Sequence, residues 1–98
     1  MKNIYVTKSV IHGNGLFIKE NLNEGDIIGV CHATYNNYWY VIHPYGTMYN
    51  HSSESNCIVK TVGDVNLLIA NRDIYMDEEL TVDYTKQKYL EQPRGDWI

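Results

Sequence analysis

Nowhere in this chain do apolar residues recur at the helical interval over three turns. They come in short β-branched and aromatic runs, each cut by Gly, Asn or Asp. Runs of that length and composition suit half-buried extended strands, and the polar breaks supply turn residues. Ile4-Tyr5-Val6-Thr7, Leu16-Phe17-Ile18 and Ile27 to Cys31 are expected strands, with turns at His12 to Gly15 and at Asn23-Glu24-Gly25-Asp26 between them. Residues 58–62 and 65–70 flank Gly63-Asp64 as a hairpin, and Leu80 to Tyr84 closes the series. The helical expectation is confined to one short turn from Lys86 to Glu91, which Pro93 would stop. The fold class that follows is mostly β, with several small sheets and little helix.

With 98 residues there is room for one domain, and a domain of that size buries only somewhat over ~60% of its unfolded surface. The 9 tyrosines and 2 tryptophans supply large contact areas with polar tips, a partial remedy for a thin core. Association between copies is another. Residues 32–48 concentrate Tyr35, Tyr38, Trp39, Tyr40 and Tyr45. Such a segment is either an exposed binding surface or a substitute for missing core, and the sequence leaves both open.

Lys and Arg number 8 against 12 Asp and Glu, a formal charge of −4. A basic protein partner fits this balance better than nucleic acid does, although the same carboxylates also serve solubility. Cys31 and Cys57 lack C-x-x-C spacing, and the histidines at 12, 32, 43 and 51 do not fall at zinc-ligand intervals near them, so no metal is expected. Met1 to Thr7 lacks the apolar core of a secretion signal, and no apolar run approaches the roughly 18 residues of a membrane span. An intracellular setting, cytoplasmic or nuclear according to the host, is the expectation.

Three stretches carry chemistry. Gly13-Asn14-Gly15 precedes Leu16-Phe17; Asn50-His51-Ser52-Ser53-Glu54-Ser55-Asn56 stands in mid-chain; Ala70 to Tyr84 ends in Glu79-Leu80-Thr81-Val82-Asp83-Tyr84. Alone, the first is a turn, the second a loop and the third a strand end. In this order they resemble the SET domain, whose motifs are G-x-G followed by Leu-Phe, N-H-S-C-x-P-N, and E-L-T-x-D-Y preceded by A-x-R-D-I. Residues 1–98 are then read as a single minimal SET domain of the β-clip type with a C-terminal pseudoknot. Residues 32–48 form a shortened variable insert and 85–98 a tail.

The resemblance implies an S-adenosyl-L-methionine-dependent protein-lysine methyltransferase. Gly13, Asn14 and Gly15 would give the tight backbone along the cofactor, Asn50 and His51 would bind its methionine and adenine ends, and Tyr84 would be the catalytic tyrosine at the transfer pore. Tyr89 or Trp97 in the tail would complete the lysine channel. The partner implied is a basic, histone-like protein or peptide. Glu79 and Asp83 either attract it or act structurally, accepting hydrogen bonds from backbone or from Arg72. Ser53 and Ser55 replace the usual Cys and Pro, Thr47 stands where an Arg often precedes the Asn-His pair, and Val59 takes a position that is a tyrosine in some relatives. The reduced layout is similar to the minimal virus-encoded SET proteins, which implies a viral or phage origin and a homodimer. A noncatalytic SET-fold module that binds peptide or cofactor is the alternative reading.

Overall fold

A computed structural model describes residues 2–86. Eight strands, numbered β1 to β8 along the chain, form one hydrogen-bonded sheet, seven of them on a path in the order β1-β2-β8-β6-β7-β3-β4 and β5 attached to β8 off that path. β1 (Ile4–Lys8) and β2 (Asn14–Ile18) form an antiparallel hairpin, and β2 passes the pairing to β8 (Glu79–Val82) through Leu16 opposite Leu80. β6 (Cys57–Val62) and β7 (Val65–Ala70) form the expected hairpin, closed with Val62 opposite Val65. Its two-residue turn holds Gly63 at φ 60°, a left-handed conformation that glycine adopts without a Cβ penalty.

β3 (Ile27–Tyr35) pairs with β7 and continues past Cys31, the end expected from the sequence pattern, to pair with β4 (Tyr38–Val41). The extension has a local cause. Asn36 and Asn37 stand at φ 51° and 66°, and two successive positive values make the mirror-image turn whose twist matches a hairpin. Every β4 residue is exposed, and so are Tyr35, Tyr38, Trp39 and Tyr40. Tyr45 behaves otherwise and packs against the core. The aromatic segment thus divides: an exposed hairpin, and one ring that supplements the interior.

The core is made by alternate residues of the paired strands. Leu16, Ile18, Ile28, Leu68 and Leu80 are fully buried, joined by Ile74 from the bridge between Leu22 and Ile74. Such side chains contribute about 1.5–3 kcal/mol each when removed from water.

β8 is the strand that positions the site. On one edge it pairs in parallel with β5 (Asn50–His51), Asn50 lying opposite Thr81 and His51 opposite Val82. On the other, Cys57 at the start of β6 pairs with the same Val82. Residues 52–56 therefore cross over β8 and hold it beneath them, which is the threading the resemblance implied. Leu80 to Tyr84 was expected to remain extended. Instead β8 ends at Val82 and Tyr84–Lys86 form a 3-10 turn, because Asp83 Oδ1 accepts from Thr85 N (3.0 Å) and Oγ1 (2.6 Å). The expected helical turn from Lys86 to Glu91 lies almost wholly outside the described residues, as do Tyr89 and Trp97.

Candidate functional site

The glycine turn starts from Ser9, whose backbone N–H donates to Gly13 O (2.9 Å) while its Oγ accepts from Ile11 N (2.9 Å). Gly13 sits at φ 49°, so the first glycine of the motif is required by backbone conformation. Gly15 has no positive φ, and its requirement is steric: a Cβ there would overlap the carboxylate of Glu79.

Asn50 ties this turn to β8. Its side chain is buried, and Nδ2 donates to His12 O (3.0 Å), Asn14 O (3.2 Å) and Glu79 Oε2 (2.8 Å). Three acceptors around one end of the amide fix which end is nitrogen. With its hydrogens directed there, the Asn50 side chain presents Oδ1, an acceptor, in the remaining direction. Glu79 is held in turn by Ser9 Oγ, at 2.7 Å from Oε1 and 2.8 Å from Oε2. Neither side chain goes to Arg72, which instead pairs with Glu78 (2.8 Å) and holds that carboxyl below its ordinary range through the hydrogen bond.

His51 and Tyr84 form the second half. His51 Nδ1 accepts from the backbone N–H of Tyr84 (3.0 Å) and therefore carries no proton of its own there. Its 3.9 Å approach to Asp83 Oδ1 is consequently a contact between an acceptor and a carboxylate rather than an ion pair. The Tyr84 phenol donates to Tyr49 O (2.8 Å), on the residue that precedes Asn50. The Tyr84 ring meets Tyr49 edge-on at 6.1 Å between centroids and lies 5.3 Å from the His51 imidazole. Gly13, Asn14, Gly15, Asn50, His51 and Tyr84, far apart along the chain, are thus joined by direct hydrogen bonds or by neighbours that make them.

Asn56 locks the crossing segment. Its Nδ2 donates to Glu79 O (2.7 Å), its Oδ1 accepts from Thr81 N (2.9 Å), and its own N–H donates to Thr81 Oγ1 (3.2 Å). One side-chain amide thereby imitates a paired strand along the edge of β8 where backbone pairing stops. Ser9, Tyr49 and Asn56 were not singled out as site residues from the sequence. Asn56 had a signal, because it ends the middle motif. Ser9 and Tyr49 act through partners 70 and 35 residues away, which no local pattern shows.

Cys31 and Cys57 are free thiols, both pushed up to about 12 by burial. Among the described residues no group of three or more His, Cys, Asp or Glu side chains is placed to hold a metal.

The SET-domain family profile matches residues 31–85, more than half of the chain. A candidate histone methyltransferase of Plasmodium falciparum superimposes with a TM-score of 0.73 at 25% identity, covering 92% of this chain and 99% of that one. A humanized mutant of the Chaetomium thermophilum Polycomb Repressive Complex 2, bound to the inhibitor GSK126, superimposes with a TM-score of 0.65 at 21% identity, over 85% of this chain but only 15% of that chain, a likeness of fold. No curated protein sequence matches. With the profile spanning the middle and last motifs and the fold shared throughout, the chain belongs to the SET-domain family.

Proposed function

We propose that the chain transfers a methyl group from S-adenosyl-L-methionine to a lysine side chain of a basic protein or peptide. The observation that carries this reading is the junction at residues 49 and 50. The Tyr84 phenol is anchored on the carbonyl of Tyr49, and the next side chain, Asn50, is anchored on the glycine turn.

The residues present suit such a cofactor. Its methionine end bears an ammonium, which the Asn50 Oδ1 acceptor matches, and its sulfur is cationic, which the rings of Tyr49, His51 and Tyr84 favour through their faces. Bound there, the cofactor supplies a methyl group made electrophilic by a sulfonium. The protein's task is then alignment, exclusion of water and delivery of a neutral amine. A lysine of ordinary pKa near ~10.4 lies roughly 4–5 kcal/mol from its neutral form at pH 7, a cost lowered by burial and by a neighbouring positive charge.

Tyr84 takes a definite part in this. Because its proton is directed to Tyr49 O, its oxygen meets an incoming amine as an acceptor. An amine that donates N–H to that oxygen has its lone pair turned away from it, toward the methyl donor. Tyr84 therefore orients, and proton loss to water before entry completes the chemistry. The formal charge of −4 favours approach of a basic substrate.

Labelled-methyl transfer to a mixture of basic proteins tests the proposal. Tyr84→Phe is expected to lower the rate about 100-fold, since it removes the acceptor that aligns the amine. Label no higher than the same background with both proteins would refute methyl transfer, equal label above background would refute the role of Tyr84, and calorimetric binding of the cofactor without transfer would return the chain to a binding module.

A further inference from the structure

We propose that Glu79 is a positioning residue for cofactor recognition, acting through Asn50, and that Gly15 is glycine so that the Glu79 carboxylate can reach that amide. The proposal rests on the cofactor reading above and adds to it how the methionine end is selected.

An asparagine side chain has two faces of opposite character, and an amide reversed by rotation would present N–H groups where an ammonium needs an acceptor. Two backbone carbonyls, of His12 and Asn14, hold Nδ2 on one side, and Glu79 Oε2 at 2.8 Å is the closest of its three acceptors. A charged acceptor makes the stronger hydrogen bond, so the carboxylate contributes most to keeping Oδ1 outward. It also brings a negative charge beside the amide, which favours a cationic ligand group. Ser9 holds the carboxylate by sharing its one hydroxyl proton between the two oxygens, and so fixes the rotamer from which Glu79 meets Asn50. Gly15 completes the arrangement from β2: with no positive φ to satisfy, its missing side chain makes room for Glu79. The motif's two glycines thus serve different ends, Gly13 the turn and Gly15 the carboxylate.

The test compares two ligands by calorimetry: S-adenosylhomocysteine, which keeps the amino-acid end, and 5′-methylthioadenosine, which lacks it. Wild type is expected to prefer the first. Glu79→Gln should reduce that preference about tenfold while leaving the affinity for 5′-methylthioadenosine unchanged, and Gly15→Ala, which displaces the same carboxylate, should reduce the preference to a similar extent. In an Asn50→Ala background neither substitution should reduce it further, because the effect passes through that amide. Ser9→Ala should give a smaller loss and Ser9→Thr should restore it; this pair leaves the carboxylate in place and carries the test should Glu79→Gln fail to fold. Equal weakening of both ligands by Glu79→Gln, an unchanged preference, or a full effect persisting in Asn50→Ala would overturn the proposal. Wild-type protein that binds neither ligand would overturn the cofactor reading itself, an outcome visible before any substitution is made.

Discussion

Two regions of this molecule are rich in polar and aromatic residues, and they are built in opposite ways. Around β8, the polar side chains Asn50, His51, Asn56 and Thr81 are buried, each held by hydrogen bonds to backbone or to another buried group. In the β3–β4 hairpin, Tyr35, Tyr38, Trp39 and Tyr40 stand at 47–68% exposure beyond an Asn-Asn turn. Buried polar groups are costly unless satisfied, so a region that pays in full for four of them is committed to one geometry. The exposed rings of the hairpin carry no such commitment. Precision near β8 comes from amides and an imidazole, whereas the rings of the hairpin provide surface.

Breaking the β8 side of this contrast should have the largest effect. Asn56→Ala leaves the Glu79 carbonyl and the Thr81 N–H without their partner and is expected to destabilise the protein by about 3 kcal/mol in urea titration. A loss below about 1 kcal/mol would mean that the crossing segment is not held through this side chain.

On the hairpin the largest expected cost is that of Trp39→Ala, about 1 kcal/mol, because Trp39 stacks on the buried His32 ring at 4.8 Å. The same variant sharpens the contrast through pH. Burial lowers the His32 pKa from its ordinary 6.5, so the unfolded chain binds that proton more readily than the folded one. This contribution to stability is complete above about 6.5 and is lost as pH falls from there through the folded value. Denaturation midpoints should decline over that interval in wild type, and less steeply in Trp39→Ala, whose imidazole is better solvated. Identical slopes would show that Trp39 does not shield His32. Smallest of all, Tyr38→Thr should shift stability by no more than about 0.5 kcal/mol. A larger change in melting would place that exposed ring within the cooperative structure.

How much of this was legible from residues alone depended on the range of the interaction. The β6–β7 hairpin was readable because β-branched runs flank Gly63-Asp64, a signal contained within fourteen residues. The β3–β4 hairpin has an equally local cause in Asn36-Asn37, but every residue of Tyr38–Val41 is exposed, so no alternation of apolar and polar positions marks it as a strand. Asn50, the glycine turn and Tyr84 were named by motif, and the structure brings them together. What the motifs did not contain was the fastening. The motif leaves Glu79 open between attracting substrate and a structural role, and its side-chain partners are Ser9 and Asn50, while Arg72 pairs with Glu78. Such links join residues tens of positions apart and leave no periodicity behind.

The passage of β8 beneath residues 52–56 makes recognition and tertiary structure inseparable. The anchors that tie residues 9–15 and 49–57 to Glu79, Thr81 and Tyr84 depend on a segment that arrives late in the sequence, so closing these contacts requires long loops to be drawn in before they are rewarded. A fragment ending ahead of Glu79 would lack the strand that joins Asn50, His51 and the glycine turn. On the proposed cofactor reading, affinity for S-adenosylhomocysteine should vanish together with amide protection of β8 rather than before it, which would make that titration a gauge of whether the last tier of the architecture has assembled.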